Sequence, residues 1–394
     1  MQPSIEEELD ELRSLSLLRK LRTVEASHQP AMELAGRKLL NFSSNDYLGL
    51  STEPALREAA KAAIDQYGVG AGASRLVCGT LTPHVILEER LAEFKQTEAA
   101  LVFSSGYAAA VGALSGVLNK DDVVIVDKLC HASLIDGARM SGAILRVYPH
   151  NHLGKLESHL KWARESYPAA RVLVVTESVF SMDGDWCLLE AIVGIKNRYS
   201  AMLLLDEAHA VGVIGLNGRG LAHQLGVEAE VDIMLGTLSK ALGVSGGYIC
   251  ARQEIIDLLV NRARSFIYST ASSPSVAAAG TAAVEFMLSL AGERRRQILR
   301  ANLMHLADEM PSLIANGKKI QSAIIPIIIG SAEAALAASQ CLAEKGFFVP
   351  AIRYPTVPRD SARLRVTVSA RHTPTQISAL GAALRGLTST ALIS

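Results

Sequence analysis

The sequence has only five cysteines, and none of them lies in a CxxC pair or at another spacing typical of metal ligands. An odd number without a pairing pattern argues against a disulfide scaffold and favours a reducing compartment. The chain also lacks a net charge, because its 39 basic residues balance 39 acidic ones. No overall field attracts nucleic acid or anionic lipid, so a small-molecule partner is favoured and no metal is expected.

Long apolar runs are absent as well. No stretch reaches the roughly 18 uncharged apolar residues that a membrane-spanning helix needs. The N-terminal stretch MQPSIEEELDELRSL has early acids and no apolar signal-peptide region. The sequence shows no internal repeat and no low-complexity segment. These absences predict a cytoplasmic protein without a membrane partner.

The composition that remains suits a large core, since 49% of the 394 residues are hydrophobic and 20% are charged, and two domains are expected. Apolar residues at helical spacing predict an amphipathic helix over residues 4–22. From residue 99 onward, short apolar runs alternate with helical stretches, which is typical of a largely parallel sheet between helices. The predicted strands are ALVF (100–103), VVIV (123–126), RVLVVT (171–176), AMLLLD (201–206) and DIMLG (232–236).

A second set of elements follows the helix-rich stretch 274–310. It comprises the runs IIPIII (324–329), FFVPAI (347–352) and LRVTV (364–368), a helical stretch near 331–345 and a final helix after Pro374. We therefore expect an α/β fold in three parts. These are an N-terminal helical segment (1–45), a large α/β domain (46–290) and a smaller C-terminal α+β domain (291–394).

Ligands of an open α/β sheet bind beyond the carboxyl ends of its strands. The run ALVF is followed by Ser104-Ser105-Gly106-Tyr107 and then by a helical stretch. A glycine turn into a helix N-terminus offers free N–H groups and the positive end of the helix dipole to an anion. An ordinary helix cap is the alternative interpretation of this segment.

Three further strand ends carry chemically useful side chains. Asp206 ends AMLLLD, with His209 three residues on, and a buried carboxylate there could pair with a protonated pyridine nitrogen. Lys240 lies among small residues after DIMLG, where a lysine of lowered pKa could form a Schiff base. His131 follows VVIV, and its flat ring could stack on a heteroaromatic ring. Taken singly, these residues could also be a loop cap, core histidines and an exposed lysine.

Together the four features describe one kind of site. An anion cradle, an aromatic stacker, a carboxylate and a lysine meet at one edge of one sheet. This is the set that pyridoxal 5′-phosphate (PLP) requires, because each group matches one part of that cofactor. We therefore expect a PLP enzyme in which Lys240 holds the cofactor.

The longer motifs resemble the α-oxoamine synthases, a family of fold-type I PLP enzymes, and among them the members that act in biotin synthesis. The resemblance runs from near residue 19 to beyond residue 370. The motifs are NFSSNDYLGLS (41–51), GAGASRLVCGTLTPHVILEERLAEF (70–94), HASL (131–134), TESVFSMDGD (176–185), LDEAHAVGVIGLNGRG (205–220), TLSKALGVSGGY (237–248), IYST (267–270) and AIRYPTVPRDSARLRVTVSARHT (351–373).

The resemblance implies residue roles. Lys240, His131 and Asp206 are implied as catalytic, with His131 stacking on the cofactor ring and Asp206 pairing with its nitrogen. The cofactor contacts implied are Gly106, Tyr107, His131, Ser181, Asp206, His209, Thr237, Lys240 and, from the other subunit of a homodimer, Thr270. The substrate contacts implied are Arg19, Asn45, His131, Arg353 and Thr356. Cys130 and Tyr107 stand where many members have Ser and Phe, and neither change removes a required group.

The resemblance also implies a reaction, namely the decarboxylative condensation of L-alanine with a pimeloyl thioester. The acyl carrier stays open between coenzyme A and acyl carrier protein. Within the family the alternatives are enzymes of the 5-aminolevulinate synthase, 2-amino-3-ketobutyrate CoA ligase and serine palmitoyltransferase types. A non-catalytic partner subunit of the same fold is an alternative of another class. It predicts loss of the Schiff-base lysine, and Lys240 is present.

Overall fold

The computed structural model describes residues 4–28, 30–310 and 320–389. The chain forms two compact units. Unit 1 comprises the described parts of Met1–Gly49, Met182–Gly184 and Gln297–Ser394, and unit 2 comprises Leu50–Ser181 and Asp185–Arg296. The first residues of the chain therefore share a unit with its C-terminal part. The division at residues 45 and 290 remains a prediction.

The described residues of unit 1 form two small sheets and three helices that lie wholly within the unit. Its strands are β1 Val24–His28, β2 Ala31–Leu34, β3 Arg37–Asn41, β11 Ile324–Gly330, β12 Phe347–Phe348, β13 Ala351–Ile352 and β14 Ala362–Thr367. The sheet orders are β1-β2-β3-β12 and β11-β14-β13. The helices are Ile5–Ser14, Ala332–Glu344 and Pro374–Ser389, and the helix Leu290–Glu309 begins in unit 2 and ends in unit 1.

Unit 2 is built on a seven-stranded sheet. Its strands are β4 Ala99–Phe103, β5 Val123–Asp127, β6 Ile144–Tyr148, β7 Val172–Glu177, β8 Met202–Asp206, β9 Ile233–Thr237 and β10 Gly247–Ala251. The order is β4-β10-β9-β8-β7-β5-β6, and β10 runs opposite to the other six strands. Strands β5, β7, β9 and β10 are buried throughout, as expected where helices cover both faces of a sheet.

The helices of unit 2 follow the strands in the alternating pattern of an α/β fold. They are Pro54–Tyr67, Thr82–Lys95, Gly106–Val117, Ala132–Met140, Leu153–Ser166, Leu189–Arg198, Leu221–Leu225, Gln253–Arg262, Arg264–Ile267 and Pro274–Leu288, with a π-turn at Arg75–Gly79 and 3₁₀ turns at Leu50–Thr52, Leu216–Gly218 and Glu228–Glu230. The expected α/β fold with a mainly parallel sheet is thus confirmed.

No single helix among the described residues is both long and apolar enough to cross a bilayer. The helices Pro274–Leu288 and Leu290–Glu309 together have the length and composition for it, but they form a sharply bent pair. The first of the two packs against Pro54–Tyr67 and Thr82–Lys95 and has seven buried residues, so it is a core helix of unit 2.

The N-terminal prediction needs correction. The helix expected over residues 4–22 covers only Ile5–Ser14, because Ser16 adopts a left-handed backbone with φ of 55° that helix geometry does not allow. Residues 24–28, 31–34 and 37–41 form strands β1 to β3 and not helix. The helix buries none of its residues within this chain, and Ile5 is 80% exposed.

Elsewhere the strand predictions succeed or fail for identifiable reasons. The five predicted runs correspond to β4, β5, β7, β8 and β9. Strand β6 was missed because its run ILRVY contains an arginine, and β10 because GYICA begins inside a glycine-rich stretch. The run FFVPAI forms two short strands in different sheets, since Pro350 between them has no N–H to donate.

Candidate cofactor site

A cavity of about 260 Å³ lies in unit 2 at the carboxyl edge of the sheet. Strands β5, β7, β8 and β9 run parallel, so their last residues meet at this edge together with the loops that follow. The residues that line the cavity are Ser105, Gly106, Tyr107, His131, Ser133, Glu177, Asp206, Ala208, His209, Leu235, Thr237, Ser239 and Lys240.

Lys240 enters the cavity from the turn between β9 and β10. The Thr237 hydroxyl at the end of β9 donates to the carbonyl oxygen of Gly246 at 2.8 Å and closes this turn. Gly246 has a φ of 124°, which side-chain-bearing residues rarely adopt. The amine nitrogen Nζ of Lys240 lies 2.8 Å from Nε2 of His209. An amine so placed can react with a carbonyl group and exchange protons nearby.

Two buried carboxylates lie side by side beneath the cavity. Asp206 and Glu177 end β8 and β7, face each other in the strand register and are 7% and 3% exposed. Burial raises the pKa of Asp206, while Lys240 and a hydrogen bond from the Ala208 N–H oppose that rise. Burial and the charge of Asp206 raise the pKa of Glu177 well above its usual range. The pKa of Asp206 has the stronger opposing contributions, from Lys240 and the Ala208 N–H, so Asp206 is the better placed of the two to carry a negative charge.

His131 stands at the start of the helix Ala132–Met140. Its backbone N–H donates to Glu177, and its ring nitrogen Nδ1 lies 2.8 Å from the Ser133 hydroxyl. Burial lowers the pKa of His131 against the opposing effect of Asp206, and the charge of Lys240 adds to the lowering. A neutral ring held in one orientation by its neighbours is suited to stack on another flat ring.

The start of the helix Gly106–Val117 forms another part of the cavity lining. The Ser105 hydroxyl caps it by accepting from the Ala108 N–H at 3.0 Å, and the N–H groups of its first turn have no partner within the helix. A Cβ atom added at Gly106 would lie 3.4 Å from the Thr237 hydroxyl, so the helix start adjoins β9. Free N–H groups, a hydroxyl and the positive helix end together suit a phosphate.

Seven of the nine predicted cofactor residues line this cavity, and two do not. Ser181 lies four residues beyond the end of β7 and is not among the lining residues. Thr270 is exposed and forms a bridge with Ser74, and it too is outside the lining. Its predicted contact involves a second subunit.

Four of the five predicted substrate residues belong to unit 1, and His131 lies in the cavity. Arg19 donates to the Thr356 hydroxyl at 3.0 Å, and Arg353 donates to the Ser16 carbonyl oxygen. Burial lowers the pKa of Arg353, and the positive charges of Arg19 and Arg22 lower it further. Arginines crowded in this way favour a bound anion.

Two residues of the candidate sites, Glu177 and Arg365, were not predicted from the sequence. Glu177 directly follows the predicted run RVLVVT, so the rule applied to the other strand ends would have found it. Arg365 is 6% exposed on β14 and donates to the Asn45 side chain at 3.0 Å. It lies inside a strand, where no strand-end rule selects it.

The cavity fits PLP on the chemistry of its donors. Lys240 supplies an amine for the aldehyde, Asp206 a buried charge for the pyridine nitrogen, and His131 a flat neutral ring. The capped helix start beside Thr237 supplies donors for the phosphate. Each part of the cofactor thus meets a side chain or backbone group that matches it.

Comparisons with known proteins agree with this assignment. The model of a family described as aminotransferase class I and II matches residues 37–384. An 8-amino-7-oxononanoate synthase of Geobacter sulfurreducens is 44% identical over 384 residues, which covers 98% of this chain and 97% of that protein.

Two solved structures are also similar. A serine palmitoyltransferase variant from S. paucimobilis with PLP and myriocin bound has a TM-score of 0.91 at 28% identity, covering 98% of this chain and 97% of that one. An 8-amino-7-oxononanoate synthase from Francisella tularensis has a TM-score of 0.74 at 28% identity, covering 90% of this chain and 99% of that one. This chain therefore belongs to the aminotransferase class I and II family and, within it, to the PLP-dependent α-oxoamine synthases.

Proposed function

We propose that this chain condenses L-alanine with a pimeloyl thioester and releases 8-amino-7-oxononanoate, carbon dioxide and the free thiol carrier, as a step of biotin synthesis. The observation that carries the proposal is its 44% identity, over 98% of the chain, to a curated relative of that name. In the reaction a C–C bond forms between the alanine Cα and the thioester carbonyl carbon. The thioester C–S bond and the bond from Cα to the carboxylate break.

The residues of the cavity have distinct tasks in this reaction. PLP, when bound, supplies an electron sink for the negative charge that develops at Cα. Lys240 holds the cofactor and afterwards takes the Cα proton, with His209 2.8 Å from its amine. Asp206 keeps a proton on the pyridine nitrogen, which a neutral side chain would do less well. His131 covers one face of the ring, and the helix start at Gly106 and Tyr107 binds the phosphate together with Thr237.

Recognition of the substrate is assigned to residues of unit 1. Arg353 binds the alanine carboxylate through its planar fork, which a lysine cannot reproduce. Arg19, Asn45 and Thr356 face the substrate as well. Asn45 accepts from Arg365 and from the Tyr47 hydroxyl at 3.0 and 3.2 Å, so its amide is held in one orientation.

The working unit in this proposal is a cytoplasmic homodimer, in which Thr270 reaches the phosphate of the other subunit's cofactor. Thr270 is exposed in the single chain and outside the lining of the cavity, which leaves it accessible to a second subunit. Whether coenzyme A or acyl carrier protein carries the acyl group is decided by the assay below.

A serine palmitoyltransferase activity is the second candidate, since a structure of that type superposes with a TM-score of 0.91. Its sequence identity, however, is 28%, against 44% for the oxononanoate synthase relative. Backbone similarity reports the shared fold, whereas side chains decide which substrate binds. The sequence relationship therefore favours alanine and the pimeloyl chain.

The test is a matrix of substrates with the purified holoenzyme. Alanine, glycine and serine are each combined with pimeloyl, succinyl, acetyl and palmitoyl thioesters of coenzyme A, and pimeloyl-acyl carrier protein is added as a fifth donor. Thiol release and product mass are measured, with Lys240→Ala as the inactive control. We expect alanine with a pimeloyl donor to give the highest kcat/KM. Preference for serine with the palmitoyl donor would establish the second candidate instead.

A further inference from the structure

His150 lies in unit 2 between β6 and the helix Leu153–Ser166, and the proposed reaction gives it no task. Its ring joins two carboxylates. Nδ1 lies 3.1 Å from Asp127 and Nε2 lies 2.9 Å from Asp185. Phe180 packs edge-on against the ring with 4.4 Å between centroids. The His150 side chain is 23% exposed, so water only partly screens these contacts.

Each carboxylate adjoins or lies within a loop that leads to a predicted cofactor residue. Asp127 ends β5, is fully buried and accepts from the backbone N–H groups of Leu129 and Asn151 at 2.8 and 2.9 Å. Its carbonyl oxygen also accepts from the N–H of Cys130, which directly precedes His131. The loop from β5 to His131 is thus organised around Asp127.

Asp185 organises the loop after β7 in a similar way. Its carbonyl oxygen accepts from the Phe180 N–H at 3.0 Å. Ser181 lies directly after Phe180, within the loop that this bond closes. The ring of His150 contacts both Phe180 and the Asp185 carboxylate, so it touches the two ends of the loop that contains Ser181.

The geometry requires a charged ring. A neutral imidazole carries one N–H and can donate to only one carboxylate, whereas the protonated ring donates from both nitrogens. The amide nitrogen of Asn151 donates to the Trp186 carbonyl oxygen and also lies 3.2 Å from Nε2, which the Asp185 carboxylate approaches more closely, at 2.9 Å. Burial lowers the pKa of His150, yet hydrogen bonds to Asp127 and Asp185 outweigh burial and raise the pKa to about 10.

We propose that His150 is a positioning residue of the cofactor site, because its protonated ring joins Asp127 to Asp185 and so fixes the two loops that carry His131 and Ser181. This inference rests on the cofactor roles proposed for His131 and Ser181. His150 itself lies outside the lining of the cavity and acts through these loops.

The charged bridge has a characteristic pH dependence. The groups that face His150 with charge are Asp127 from the end of β5 and Asp185 from the loop after β7. Because the folded protein raises the pKa of this histidine above its unfolded value of 6.5 to about 10, its contribution to stability is complete below pH 6.5. The contribution declines between pH 6.5 and 10 and is absent above that range.

The experiment compares three holoenzyme variants with the wild type. His150→Gln removes the charge, and Asp185→Asn weakens one of the two bonds. His152→Gln is the matched control, because His152 lies on the same loop and its side chain caps a helix by accepting from the Lys155 N–H. Release of PLP is followed by visible absorbance, with an apoenzyme that binds PLP as acceptor. Thermal unfolding of each holoenzyme is recorded from pH 6 to pH 10.

We expect His150→Gln to release PLP about tenfold faster, the size of effect typical for loss of a charge-assisted hydrogen bond. Asp185→Asn should lie between it and the wild type, and His152→Gln should match the wild type. The difference in Tm between wild type and His150→Gln should be largest near pH 6.5 and vanish by pH 10. If the variant releases PLP at the wild-type rate, or its Tm difference is the same at every pH, the positioning role is wrong. If the wild type holds no PLP, the proposed function itself fails.

Discussion

The surroundings of Asp206 indicate its role more directly than those of the other site residues. It is buried, its pKa is raised by burial, and the charge of Lys240 is the largest effect that opposes this rise. We predict that Asp206→Asn retains PLP but loses about a hundredfold or more in kcat, because an amide cannot keep the pyridine nitrogen protonated. Steady-state kinetics and the visible spectrum check the two parts. Near-normal turnover would reduce Asp206 to a loop cap for Ala208.

Arg353 allows a second test at this scale. We predict that Arg353→Lys weakens L-alanine binding by about tenfold, because lysine cannot form the bidentate contact with a carboxylate. The KM for the thioester should change much less. Arg359→Lys is the matched control, since Arg359 is an exposed residue of the same loop whose guanidinium stacks 4.5 Å above the Tyr354 ring. Equal alanine binding in both variants would remove Arg353 from the site.

Among secondary-structure elements, the start of the helix Gly106–Val117 is held by β10. A Cβ atom added at Gly247 would lie 2.5 Å from the Cα of Gly106, so the backbones touch without room for a side chain. We predict that Gly247→Ala displaces the helix start, costs about 1–3 kcal/mol of stability and speeds PLP release. Denaturant unfolding and PLP release measure both effects.

The control for that substitution lies in the same unit. Gly194 sits in the exposed interior of the helix Leu189–Arg198, and an added Cβ meets nothing within 4 Å. Gly194→Ala should raise stability by roughly 0.5–1 kcal/mol through helix propensity and leave PLP release unchanged. If Gly247→Ala behaves like Gly194→Ala, close packing at β10 does not shape the phosphate end of the cavity.

The elements also show what sequence patterns can and cannot predict. Strands β5, β7, β8 and β9 were found because buried strands are continuous apolar runs, and the residues at their ends then gave His131, Asp206 and Lys240 as candidates. Strand β10 was missed, since its first residue is a glycine selected by contact with Gly106. That contact joins residues far apart in sequence and has no local signal.

At the scale of the whole molecule, contacts between residues far apart in the chain could not be predicted from the sequence. Asp127 is the last residue of β5, whereas His150 and Asp185 lie in the loops after β6 and β7. Each of the three residues by itself could equally be a solvated loop residue. The family motifs predicted the cofactor and the cavity chemistry, because those depend on residues beside strand ends. They did not predict that His150 would join Asp127 to Asp185.

The proposed homodimer makes a prediction of its own. Lys240→Ala and Thr270→Ala should each be nearly inactive alone if Thr270 completes the partner's site. A mixed dimer of the two variants contains one intact site, so random mixing should recover roughly a quarter of the wild-type sites. Activity after co-refolding or co-expression measures this recovery. Full activity of Thr270→Ala alone would place the residue outside the site.

We propose that Lys240 holds PLP at the carboxyl edge of the seven-stranded sheet. The most direct test is reduction of the purified holoenzyme with borohydride, followed by proteolysis and mass spectrometry of the labelled peptide. We expect one pyridoxyl group per chain, attached to Lys240 within the stretch TLSKALGVSGGY (237–248). A label on any other lysine, or no label on a protein that turns over substrate, would contradict it.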